Sequence, residues 1–235
     1  NTAVGFEAMT NSTASECVAV GSRALKAHTS GARNTAVGSE AATAVITAND
    51  VTAIGRSCLP ACTTGDNNTG LGSKCLLINT TGHTNTAVGK SAMEQTTTGS
   101  NNVAVGKDAL LDNTTGYQNT ALGTQAAHNM TTGHSSIAIG YQSLQTCTDG
   151  SHNTAIGPFA LNVLTSGQYN STLGLNAGAE VTTGDNNILI GLNAGRSTSP
   201  SGAISTGSNN VVLGDNAIAN LFCKVSTIQT SDIRD

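Results

Sequence analysis

Small, apolar and polar positions alternate along this chain in one phrase that keeps returning. Asn-Thr-Ala-Val-Gly at residues 85–89 is its plainest form. The closing Gly recurs thirteen times between Gly5 and Gly214, at one interval of 16 residues, ten of 17 and a last one of 23. The chain is therefore a repeat protein, and its fold follows from what each column of the repeat can do. The residue before the Gly is always Val, Ile or Leu, among them Val88, Val105, Leu122, Ile139 and Ile156. A small residue, mostly Ala, precedes it, and before that stands Thr, Val, Ile or Ser. This β-branched alternation predicts a short strand whose aliphatic side chain lies on the buried face.

The columns after the Gly are equally regular. Three residues on, Ala stands in ten copies, and Cys58, Cys75 and Ser143 in the others. The next position is large and apolar in nine copies, as at Leu25, Leu59 and Leu110. Thr-Thr-Gly or a close variant follows, for example at residues 97–99, and its Gly is expected to supply a turn conformation that other residues avoid. The phrase opens with Asn in ten of thirteen copies, among them Asn34, Asn68, Asn85, Asn102 and Asn119. Stacked Asn amides can hydrogen-bond from rung to rung, and this structural ladder is preferred to a polar ligand track.

Seventeen residues are too few for a helical hairpin, and recurrent Gly opposes helix. The expected fold is all-β, a parallel β-roll or β-solenoid of about thirteen 17-residue rungs over residues 1–222. Each rung needs its neighbours to cover its apolar groups. At a strand spacing of about 4.8 Å the rod would be roughly 58 Å long. Residues 223–235 leave the repeat. The last interval gains six residues around residues 197–202, including Pro200, and is expected to bulge as a surface loop.

Composition narrows the function. Leu, Ile, Val and Phe supply only 46 of 235 residues, 10% of residues are charged and there is no Trp, so no thick enzyme-like core is available. Ten Lys and Arg against fourteen Asp and Glu leave no cationic surface for nucleic acid. No apolar run is long enough to span a membrane, and no basic, then apolar, leader is visible. The phrase is already running at Asn1, so we read the chain as part of a longer one.

Asn-Thr-Ala-Val-Gly-x-x-Ala-Leu with Thr-Thr-Gly resembles the repeat arrays of phage and virus tail-fibre shafts. It is more loosely similar to the β-roll heads of trimeric autotransporter adhesins. That resemblance implies a homotrimeric rod on a virion tail fibre or another extracellular surface, with a host receptor bound by regions outside this chain. Ser-Asp-Ile-Arg at residues 231–234 resembles the start of the endosialidase-type intramolecular chaperone that ends many such fibres. It implies cleavage between Ser231 and Asp232, with Ser231 as nucleophile, and makes residues 223–235 a boundary to a chaperone domain beyond the chain. Without that domain no enzymatic activity is expected, and no cofactor. The alternatives are an adhesin whose rod surface binds host or glycan directly, and an ice-binding solenoid. Aromatic platforms for sugars are scarce here, and Thr precedes the Ala-Val pair in only seven of thirteen copies.

The remaining candidate chemistry is sparse. His28, His83, His128, His134 and His152 fall in connecting segments, and His83 and His134 share a column three rungs apart, too far to share a metal. Cys58 and Cys75 share the small column on consecutive rungs, within disulfide range, and are read as buried thiols. Asn-x-Ser/Thr triplets at Asn11, Asn67, Asn79, Asn113, Asn129 and Asn170 follow from composition and need no glycan.

Overall fold

The structure is a computed structural model and describes residues 1–220. Thirteen three-residue strands stack in chain order into one parallel sheet. They are β1 (Thr2–Val4), β2 (Val18–Val20), β3 (Thr35–Val37), β4 (Thr52–Ile54), β5 (Thr69–Leu71), β6 (Thr86–Val88) and β7 (Val103–Val105). The stack continues with β8 (Thr120–Leu122), β9 (Ile137–Ile139), β10 (Thr154–Ile156), β11 (Ser171–Leu173), β12 (Ile188–Ile190) and β13 (Val211–Leu213). Register is kept residue by residue, so Thr86, Ala87 and Val88 face Val103, Ala104 and Val105. Even the 23-residue step preserves it, with Ile188 opposite Val211. The chain is thus a parallel β-solenoid with a 17-residue repeat, and among the described residues it has no helix.

The strand faces the opposite way from the expectation. Its central small residue points inward: Ala36, Ala53, Ala87, Ala104 and Ala121 are all fully buried. The residues on either side point out, leaving Val105 39% exposed and Val88, Leu122, Ile139 and Ile156 half-buried. Alternation admits either phase, because a strand shows only that the two faces differ. The phase is set by the rest of the rung. Leu59, Leu76, Met93 and Leu110 enter the core from the opposite wall and fill it, so only a methyl group fits across from them.

That Leu column adopts a conformation that sequence rules assign to Gly. Leu110 has φ +49° and Asp108, two residues earlier, +56°. An L-residue there costs on the order of 1 kcal/mol. Hydrogen bonds to both neighbours offset it: the Leu110 N–H donates to the Ala126 carbonyl at 3.0 Å and the Asp108 N–H to the Lys90 carbonyl at 3.0 Å. Where the chain does place Gly in this column, at Gly178 and Gly195, the inward residue of β12 is Leu189 rather than Ala. A side-chain carbon at either Gly would come within about 3.1 Å of Leu189. Volume is exchanged across the core, not lost.

The second Gly of the repeat also has a different reason from the expected one. Gly99 and Gly116 do not have positive φ. They are Gly because rungs touch there: a Cβ on Gly99 would lie 2.5 Å from the Gly116 carbonyl oxygen and 2.8 Å from Asn113 Nδ2. The six-residue insertion leaves the rod at Gly195 as expected, with Ser197, Thr198, Pro200 and Ser201 exposed. Its base is tied down, since Ser199 is buried and Arg196 pairs with Glu180 at 3.3 Å.

Candidate functional site

The functional candidates among the described residues are the columns that run along the rod. The Asn column lies inside. Asn34, Asn68, Asn85 and Asn102 are fully buried and Asn119 nearly so. Each Asn Oδ1 typically accepts the backbone N–H of the ladder residue one rung on, while its Nδ2 donates to the carbonyl of the Thr-Thr-Gly glycine in that next rung. For Asn102 these are the Asn119 N–H at 2.9 Å and the Gly116 carbonyl at 2.9 Å. Direct amide-to-amide bonds occur in places, as from Asn102 Nδ2 to Asn85 Oδ1 at 3.2 Å. The column therefore satisfies the turn backbone of successive rungs, which would otherwise be buried without partners. Along the buried rungs its amides are engaged with the rod itself.

A second ladder runs outside it. Thr97 Oγ1 donates to the Thr114 carbonyl at 3.0 Å, Thr114 to Thr131 and Thr131 to Thr148 in the same way. These hydroxyls are engaged with the rod itself.

The outward face of the sheet is a long exposed surface. Two columns cover it, the residue before the inward Ala and the residue after it. They include Val18, Val20, Ile54, Leu71, Val103, Val105 and Ile137, each at least 36% exposed. Toward the C-terminal end the face becomes more apolar, with Leu173, Ile188, Ile190, Val211 and Leu213 exposed. Ser171, smaller than its neighbours in the column, opens a shallow apolar dimple between Thr154, Ile156, Leu173 and Ile190. No charged residue interrupts these two columns over the thirteen strands.

The structure also assembles a group that the sequence reading missed. Tyr117 stacks on His134 with ring centroids 4.6 Å apart, His134 meets His152 edge-on at 5.0 Å, and His152 stacks on Tyr169 at 5.0 Å. Tyr141 and Phe159 form a separate edge-on pair at 5.3 Å. The signal was available: Tyr117 and His134, and likewise His152 and Tyr169, are 17 residues apart and so share a column.

Of the other histidines, His28 is fully buried. Its ring lies 2.9 Å from Ser12 Oγ at Nδ1 and 3.0 Å from Asn34 Nδ2 at Nε2. The Asn34 amide also donates to the Ala48 carbonyl, which fixes its NH₂ toward the ring. Nε2 must then accept and Nδ1–H donates, a neutral tautomer. Burial pushes the His28 pKa down from its ordinary value. Among the described residues no three His, Cys, Asp or Glu side chains gather to hold a metal ion. Of the Asn-x-Ser/Thr triplets, Asn79, Asn113 and Asn170 are buried, while Asn11 and Asn67 are exposed. No helix of the described residues is long and apolar enough to cross a membrane. Ser231 and Asp232 lie outside the described residues.

Comparison with known proteins adds no relative: no family model, no curated protein and no solved structure matches this chain.

Proposed function

We propose that this chain is a shaft segment of a viral tail fibre or similar surface fibre, and that it works as a parallel homotrimer. The observation that carries the reading is the uncharged outward face of the sheet, one of whose columns is Val, Ile or Leu in every strand while the other is Thr, Ser, Val or Ile. It is thirteen strands long, or roughly 58 Å, and about 10 Å wide, a strip of several hundred Å² along which the aliphatic column is unbroken. That is at the upper end of what a monomer leaves open to water. The occupant must match columns that repeat at the strand spacing along the whole rod. A second and third copy of this chain, in register, supply that period and length. Heterologous packing of three identical faces closes on itself and leaves no open surface.

In this reading the work is mechanical. Continuous backbone hydrogen bonding and buried Asn and Ala columns stiffen a rod that holds a receptor-binding region away from the particle or cell, and the segment itself catalyses nothing. Ser231 and Asp232 then mark the junction with a chaperone that leaves after assembly. The test is the native mass by light scattering on a size-exclusion peak. Three times 23.5 kDa supports the fibre, and a single-chain mass overturns it.

A second reading, an adhesin that binds host or glycan along its side, is favoured by the Tyr117–His134–His152–Tyr169 stack, since aromatic rings are common sugar platforms. Binding of the isolated chain on a glycan array, lost on Tyr169→Ala, would establish it. An ice-binding face is disfavoured by Val103 and Ile137, which interrupt the outward Thr column.

A further inference from the structure

The small column that follows each strand is Ala in most rungs, and in two consecutive rungs it is Cys. Cys58 and Cys75 are both fully buried, and their Sγ atoms are 2.8 Å apart, one thiol donating to the other. Sharing a column on adjacent rungs places their Cα atoms about 4.8 Å apart, within the roughly 4.4–6.8 Å that disulfides span. A second observation shows that the core is built around them. The inward residue of β5 is Gly70, the only Gly at that position in the thirteen strands. A Cβ there would lie 2.5 Å from Cys58 Sγ and 3.0 Å from Cys75 Sγ. The methyl group that every adjacent strand carries, at Ala53 and Ala87, is missing where the two sulfurs need its volume. The pair is also not half of a metal centre, because no third metal-binding side chain joins it among the described residues.

We propose that Cys58 and Cys75 are a cross-rung redox site that closes to a disulfide in an oxidising environment and staples two consecutive turns of the solenoid. A small-molecule disulfide is the oxidant. One cysteine thiolate attacks its S–S bond, forming a mixed disulfide and releasing one thiol. The second cysteine sulfur attacks the protein-bound sulfur of that mixed disulfide, so the Cys58–Cys75 bond forms and the second thiol leaves. The two protons and two electrons lost by the protein are carried away on the two released thiols. The hydrogen bond to Cys75, together with burial, holds the Cys58 thiol far above its ordinary pKa. Thiolate is therefore scarce in the folded rod. The bond is made during folding or when the rungs open, and once made it is shielded from reductants. It closes a loop of one rung, so its effect is local: turns β4 and β5 no longer separate independently. The inference does not depend on the shaft reading.

The test compares the full chain produced in an oxidising compartment with the same chain produced in a reducing one. Each is denatured, alkylated and mapped by mass spectrometry. The oxidised preparation should show two fewer alkylated cysteines and a linked peptide pair containing Cys58 and Cys75, separable by dithiothreitol, and should melt several degrees higher than the reduced one. Cys58→Ala, which restores the common residue of the column, should fold but form no link. Gly70→Ala should fail to form the link, whereas the triple variant C58A/C75A/G70A, which returns the site to the ordinary Ala pattern, should melt close to the reduced parent. Full alkylation of Cys58 and Cys75 in both preparations overturns the proposal, as does a link to Cys62 or Cys17 instead. Undiminished linkage in Gly70→Ala overturns the argument from the missing methyl.

Discussion

Replacing Asn102 by Ala tests the energetic core of the solenoid with one amide. Asn102 is fully buried, and its side chain accepts from the Asn119 N–H and donates to the Gly116 carbonyl and to Asn85 Oδ1. The consequences are unequal. The Gly116 carbonyl keeps a bond from Asn113 Nδ2 at 3.2 Å, and Asn85 Oδ1 keeps the Asn102 backbone N–H at 3.1 Å. The Asn119 N–H keeps nothing. An orphaned buried donor costs about 1–3 kcal/mol and each of the two other forfeited bonds about 0.5–1 kcal/mol, for a total of about 2–5 kcal/mol. Solenoids open locally, so the assay is hydrogen exchange read by mass spectrometry over residues 117–121. With tenfold per 1.36 kcal/mol, exchange there should quicken about 30-fold or more, and the melting temperature should fall by roughly 4–20 °C. Thr115→Ala, at an exposed position of the neighbouring turn, is the control and should lie within about 0.5 kcal/mol of the parent. Equal behaviour of the two variants would refute the ladder as a satisfier of turn backbone and leave Asn102 as a mere space-filler.

Three further outcomes follow from the same geometry. Val105→Asp, on the outward face, should reduce the native mass to a single chain while keeping the β signature in circular dichroism, whereas Ala104→Asp, fully buried, should cost several kcal/mol and disrupt the fold locally; the reverse ranking would invert the strand faces. Gly106→Ala should destabilise strongly in thermal melts, because its φ is +139° and a Cβ there would lie 2.4 Å from the Gly123 carbonyl oxygen. His28 has a folded pKa below its ordinary 6.5, so the unfolded chain takes up the proton first: its contribution to stability is complete above pH 6.5 and lost as the pH falls from there toward the folded value. Melts at pH 7.5 and pH 5.5 should therefore diverge in the parent, and a His28→Leu variant, an apolar residue this column carries elsewhere at Leu164, should lose that part of the difference.

The period, the strands and the turns between them were legible because a repeat states the same physical requirement thirteen times. Any column that is always small or always branched marks a constrained position without a structure. The sense of the strand was not legible. Thr-Ala-Val satisfies alternation with either face inward, and only the Leu110 column, entering from the far wall, leaves room for a methyl and drives Val105 out. The left-handed backbone of Leu110 was hidden for a related reason: local preference disfavours it, and rung-to-rung hydrogen bonds that exist only in the stacked array offset the cost. Gly99 was recognised as necessary but for the wrong cause, since close approach to the next rung, not a positive φ, forbids its side chain. The aromatic stack and the space at Gly70 also depend on which residues of successive rungs meet. Sequence spacing by itself determined the solenoid, while the three-dimensional stacking decided which face is core and which is left open for a partner, because facing and volume are properties of neighbours and not of a residue alone.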